Sequence, residues 1–74
     1  MRERITMAKR IGIITDVERL DNSYNGNPAY RVVIAGTMYE TYHDAGWVYA
    51  LDPKPGLKVK YETEAKVLVY AQRV

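Results

Sequence analysis

Five short segments patterned as β-strands, with one brief helix-like stretch between the third and the fourth, leave a chain of 74 residues few ways to fold. Arg10 to Leu20 (RIGIITDVERL) is rich in Ile and Val and runs into the turn-forming DNSYNGNP. It reads as a long first strand that bends near Gly12 or Asp16. Tyr30 to Ala35 (YRVVIA) is the second strand. Ala35, Gly36 and Thr37 turn the chain back, which predicts that Met38 to Tyr42 (MYETY) pairs antiparallel with it as a hairpin. Leu57 to Thr63 alternates strictly, with Leu57, Val59, Tyr61 and Thr63 on one face and Lys58, Lys60 and Glu62 on the other, the pattern of a half-buried strand. Lys66 to Gln72 is the fifth, with Val67, Val69 and Ala71 expected inside and Lys66, Leu68, Tyr70 and Gln72 outside.

The stretch HDAGWVYALDPKPG spaces Trp47, Val48 and Leu51 as one face of a helix. Thr41 and Asp44, three apart, match a capping box at its start. Pro53 ends it, because the residue before a proline is pushed out of the α region. Gly46 costs about 1 kcal/mol relative to Ala, so one or two turns are expected, held by packing of Trp47 and Leu51 under the barrel.

In element order, Arg10 to Arg73 resembles the five-stranded oligonucleotide/oligosaccharide-binding barrel, a mainly all-β fold. The alternative is the Src-homology-type small barrel, which also tolerates the irregular loop Asp21 to Pro28 and places a short helical turn late in the chain. Residues 10–74 read as one domain and residues 1–9 as a flexible basic arm, within which Met1 to Thr6 suits a floppy arm, an alternative start before Met7 or an extra half-strand through Ile5. One domain of this size buries only about 60% of its unfolded surface. Without cysteine and with a single histidine, His43, neither disulfides nor a zinc cluster is expected to staple it. No apolar run approaches a membrane span or a signal-peptide core, so the expectation is a soluble cytoplasmic protein with no membrane partner.

The net charge of +2 conceals a segregation. Both ends are basic: Arg2, Arg4, Lys9 and Arg10 against Glu3, then Lys54, Lys58, Lys60, Lys66 and Arg73 against Glu62 and Glu64. The middle is acidic, with Asp16, Glu18, Asp21, Glu40, Asp44 and Asp52 against Arg19 and Arg31. Phosphate neutralisation by Lys and Arg drives nucleic-acid affinity, so an acidic second and third strand counts against the ligand face that the barrel resemblance implies.

Seven tyrosines and no phenylalanine are the other departure from an ordinary composition. Tyrosine suits surfaces that are both apolar and wet, such as base platforms and interfaces. Tyr30 and Tyr61 are expected in the core. Tyr24, Tyr39 and Tyr70 are expected outside, while Tyr42 and Tyr49 fit either place. Asn25-Gly26 predicts positive φ at both centres of a tight turn and Asn27-Pro28 fixes the start of the second strand, so Asn22 to Pro28 reads as a hairpin loop. The run VERLDNSYNGNPAYRV also resembles short uncharacterised proteins of actinobacterial phages, which implies a cytoplasmic accessory protein of an infected host.

Catalysis finds no support in the residues. Ser23 lies in a turn with no histidine in register, no glycine-rich phosphate loop exists, and adjacent His43 and Asp44 do not face a common point. The expectation is a non-catalytic binding module without cofactor or metal. Single-stranded DNA or RNA would bind the outer face of the second and third strands, with Tyr24, Arg31, Tyr39 and Arg19 as stacking and phosphate contacts and Lys58 and Lys60 as an electrostatic surround. The alternative is a protein-interaction module, a phage-type host-factor binder or homodimer, using exposed tyrosines, Leu68 and sheet edges.

Overall fold

β1 (Lys9–Leu20) is long enough to serve two partners, and that closes the architecture. In the computed structural model, which describes residues 9–42 and 44–74, its first half pairs antiparallel with β4 (Lys58–Glu64), from Lys9 opposite Glu62 to Ile13 opposite Lys58. Its second half pairs with β2 (Ala29–Ile34), from Ile14 opposite Ile34 to Leu20 opposite Ala29. The partner changes between Ile13 and Ile14, and a bulge follows at once between Ile14 and Asp16, near one of the two bends expected from the sequence. The extra residue reverses the inward set. Ile14 is fully buried, and three residues on, Val17 packs against the core.

β2 and β3 (Thr37–Thr41) form the expected hairpin. Ala35 (φ 52°) and Gly36 (φ 79°) are its two central residues, the signature of a type I′ turn. β3 then pairs in parallel with β5 (Val67–Arg73), through Glu40 opposite Val67 and Thr41 opposite Leu68, and β5 pairs with β4. The sheet is a closed barrel in the order β1-β2-β3-β5-β4. With α1 (Trp47–Leu51) between β3 and β4, it is compatible with the oligonucleotide/oligosaccharide-binding arrangement.

The core is Ile14, Val32, Ile34, Tyr39, Leu51, Val59, Tyr61, Leu68 and Ala71. Each fully buried aliphatic side chain contributes about 1.5–3 kcal/mol relative to exposure. In β4, Val59 and Tyr61 point inward while Lys58 and Lys60 are solvated, as the alternation predicts. β5 departs from its expected phase. Leu68 is fully buried and Ala71 nearly so, while Val69 is half-buried, because the register jumps from Glu62–Tyr70 to Thr63–Leu68 and leaves Val69 without an opposite number. The bulge places two inward residues three apart, which strict alternation cannot do.

α1 is a short helix ended by Asp52 in the left-handed region, whose N–H donates to the Val48 carbonyl at 3.0 Å, just ahead of Pro53. Leu51 and Val48 are buried, and half-buried Trp47 packs on Tyr70 with ring centroids 5.6 Å apart. The expected capping box is absent. Gly46 is the N-cap, and Thr41 lies in β3, where its hydroxyl accepts the Tyr30 backbone N–H at 3.0 Å. The expected arm over residues 1–9 lies outside the described residues except for Lys9, which opens β1, and His43 lies outside them as well.

Candidate functional site

The cross-strand register sorts the outer surface into two faces of opposite charge. On β2 and β3, Arg31 stands between Glu18 of β1 and Glu40 of β3, and Val33 stands between Asp16 and Met38. Arg31 Nη1 donates to Glu18 at 3.0 Å and Nη2 to Glu40 at 2.9 Å. The Glu40 bond, then that of Glu18, holds the guanidinium above its ordinary pKa. A raised value stabilises the fold at every pH below the unfolded value and is lost only in strong alkali. Three carboxylates therefore surround one committed cation on this face.

Tyr39 is not on that face. Its position opposite Val32 turns the ring into the barrel, where it is 6% exposed and meets Tyr61 at 6.1 Å. The period of two that puts Glu40 and Met38 outside puts Tyr39 inside. Tyr24 is fully exposed on the loop after β1, and Arg19 is turned toward Tyr30, so the outer face of β2 and β3 does not bring Arg31, Tyr39 and Tyr24 together.

The opposite face is formed by the first half of β1 and by β4. Because Gly12 and Val59 face inward as a pair, Lys9, Ile11 and Ile13 share the outside with Glu62, Lys60 and Lys58 directly across from them. Ile11 and Ile13 are 57% and 51% exposed. Among the described residues, none of the three lysines has an ion-pair partner within 4 Å. Lys58 and Lys60 were legible as exposed cations; Ile11 and Ile13 were not, because in KRIGII apolar residues occupy both faces and periodicity assigns neither.

A third region lies where the loop after β1 meets α1. Asp44 accepts from Ser23 Oγ at 2.7 Å, Asn25 Nδ2 at 2.6 Å and Asn27 Nδ2 at 2.8 Å, which pins the loop to the segment before the helix. The loop turn has a single positive φ, at Gly26 (85°), instead of the two expected; Gly26 N–H donates to the Ser23 carbonyl at 2.9 Å, closing a turn around Tyr24 and Asn25. Between the pinned loop and the helix runs an open groove of about 530 Å³ lined by Arg19, Asn22, Pro28, Tyr30, Val48, Tyr49 and Asp52, among others. Arg19 stacks on Tyr30, 5.2 Å from the ring centroid, and donates to Asn22 Oδ1 and to the carbonyls of Leu20 and Ala29. Three residues from Thr41 is a capping spacing, but these three partners of Asp44 lie 17 to 21 residues away in sequence, and nothing local signals them.

Among the described residues no three His, Cys, Asp or Glu side chains gather as metal ligands, and no helix is long and apolar enough to cross a membrane. Comparison with known proteins gives no matching family model, and neither a curated protein nor a solved structure is significantly similar to the chain.

Proposed function

We propose that the protein is a non-catalytic binding module for single-stranded nucleic acid, acting in the cytoplasm through the outer face of β1 and β4 and not through that of β2 and β3. The observation that carries the reading is the charge segregation: Lys9, Lys58 and Lys60 are free of ion pairs among the described residues, whereas the β2–β3 face holds Asp16, Glu18 and Glu40 around one committed arginine. Unpaired lysines on one sheet face exchange counterions for phosphates at little rearrangement cost. The aromatic ring that the register brings to this face is Tyr70, opposite Glu62 and 38% exposed, and it is packed against Trp47, so affinity there is mainly electrostatic and tolerant of sequence.

Titration of a labelled twelve-nucleotide single strand against the full chain across a range of salt tests it. Binding should weaken as salt rises, with a slope of about 0.7 for each phosphate neutralised. Absence of binding at low salt to both DNA and RNA overturns the reading.

A second reading is supported by Ile11 and Ile13, two exposed aliphatic residues on one face ringed by lysines. A phage-type accessory protein would use such a patch to dock an acidic, apolar surface of a host factor or a second copy.

A further inference from the structure

The groove between the loop after β1 and α1 is a built feature. Three polar side chains, Ser23, Asn25 and Asn27, converge on one carboxylate, Asp44, to hold its loop wall. Ser23 also bonds Asn27 twice, through its backbone N–H to the Asn27 carbonyl at 2.8 Å and through its hydroxyl from the Asn27 N–H at 3.0 Å. At about 530 Å³ the groove falls within the size range of small-molecule sites.

Its chemistry suits a flat heterocycle and not a bare anion. The Arg19 guanidinium already spends three bonds on Asn22 and two carbonyls while its plane covers Tyr30, and Asp52 adds a carboxylate to the same lining. Asn22 gives its carbonyl oxygen to Arg19 and retains its amide donors, and Asp52 gives one oxygen to Lys54 at 3.0 Å and retains the other. One wall of the groove thus offers a donor and the other an acceptor. Tyr49, 76% exposed on α1, offers an unoccupied ring face on the same lining. A ring that stacks and an edge that both donates and accepts describe a nucleobase.

We propose that this groove binds a single nucleobase, stacked on Tyr49 with its hydrogen-bonding edge toward Asn22 and Asp52. This deepens the single-strand reading by giving the strand one anchored base, and it is testable without a strand. The four nucleoside monophosphates AMP, GMP, CMP and UMP would be titrated into the ¹⁵N-labelled full chain, with ribose 5-phosphate as control and Tyr49→Ala as the variant. Tyr49 is exposed enough that its loss leaves the fold intact.

The expected result is saturable shifts at the Asn22, Tyr30 and Tyr49 amides with at least one mononucleotide, no such shifts with ribose 5-phosphate, and at least tenfold weaker binding by Tyr49→Ala. Silence at those amides with all four at millimolar concentration, equal shifts with ribose 5-phosphate, or unchanged affinity of Tyr49→Ala overturns the site. Mononucleotides that bind where oligonucleotides fail would uphold the groove and remove the lysine-face reading. Oligonucleotides that bind through Lys58 and Lys60 with no shift in the groove would do the reverse.

Discussion

Gly12 shows how one missing carbon can position a core. A Cβ at this inward position of β1 would lie 2.7 Å from Ile34 Cγ2 and 3.2 Å from Tyr61 Cε1, so the space a side chain would fill belongs to its neighbours. Tyr61 fills that space, with Arg10 on the same side of β1 as Gly12 lying over its ring, 5.3 Å from the centroid, and Tyr39 meeting it within the core. Ile34 is branched and fully buried in a close-packed interior, so displacing its Cγ2 disturbs the side chains around it. Gly12→Ala should therefore destabilise the protein by about 1–3 kcal/mol, the usual cost of overpacking, measured by urea unfolding. An unchanged midpoint would mean that the barrel relaxes around the added methyl.

At the scale of elements, the bulges in β1 and β5 matter more than the regular stretches between them. Each converts a strand's inward set from a spacing of two to a spacing of three, Ile14 to Val17 in one and Leu68 to Ala71 in the other. In β5 this brings Leu68 into the core beside the seam with β3, where Tyr42 N–H donates to the Leu68 carbonyl at 2.9 Å and the two strands share only two residue pairs. Leu68→Ala should cost about 2–5 kcal/mol through the cavity left behind. Val69→Ala, at the bulged and half-buried position, should cost less than half as much. Equal losses in thermal unfolding would place both side chains on the same footing and contradict the bulge.

Across the whole molecule, the closed sheet separates charges that the chain order only hints at. Asp16, Glu18 and Glu40 from the acidic middle of the sequence gather on the outer face around Arg31, and the lysines of β4 meet Lys9 and the exposed isoleucines of β1 on another face. If the lysine face binds single strands, the double change Lys58→Ala with Lys60→Ala should lower the salt slope of oligonucleotide binding by about 1.4, from two phosphate contacts at about 0.7 each. Arg31→Ala should leave that slope unchanged, since its guanidinium is already held by Glu18 and Glu40. The opposite pattern would return the ligand to β2 and β3.

Local chemistry made most of the barrel readable. The strict alternation of Leu57 to Thr63 needs nothing beyond its own period to set Val59 and Tyr61 inside and Lys58 and Lys60 outside, and Ala35-Gly36 needs only its two left-handed residues to make the hairpin. Tertiary structure decided the rest, wherever two distant segments compete for the same side chain. The phase of β5 turns on a bulge set by its register against β4, and the same alternation that exposes Glu40 buries Tyr39 only once β3 has β2 beside it. Asp44 has the spacing of a helix cap, yet its carboxylate is held by three donors from a loop about twenty residues earlier, while the Val48 and Tyr49 N–H groups at the helix start donate to the Ala45 and Gly46 carbonyls. The groove exists only as the gap between those two segments, so no stretch of sequence contains it.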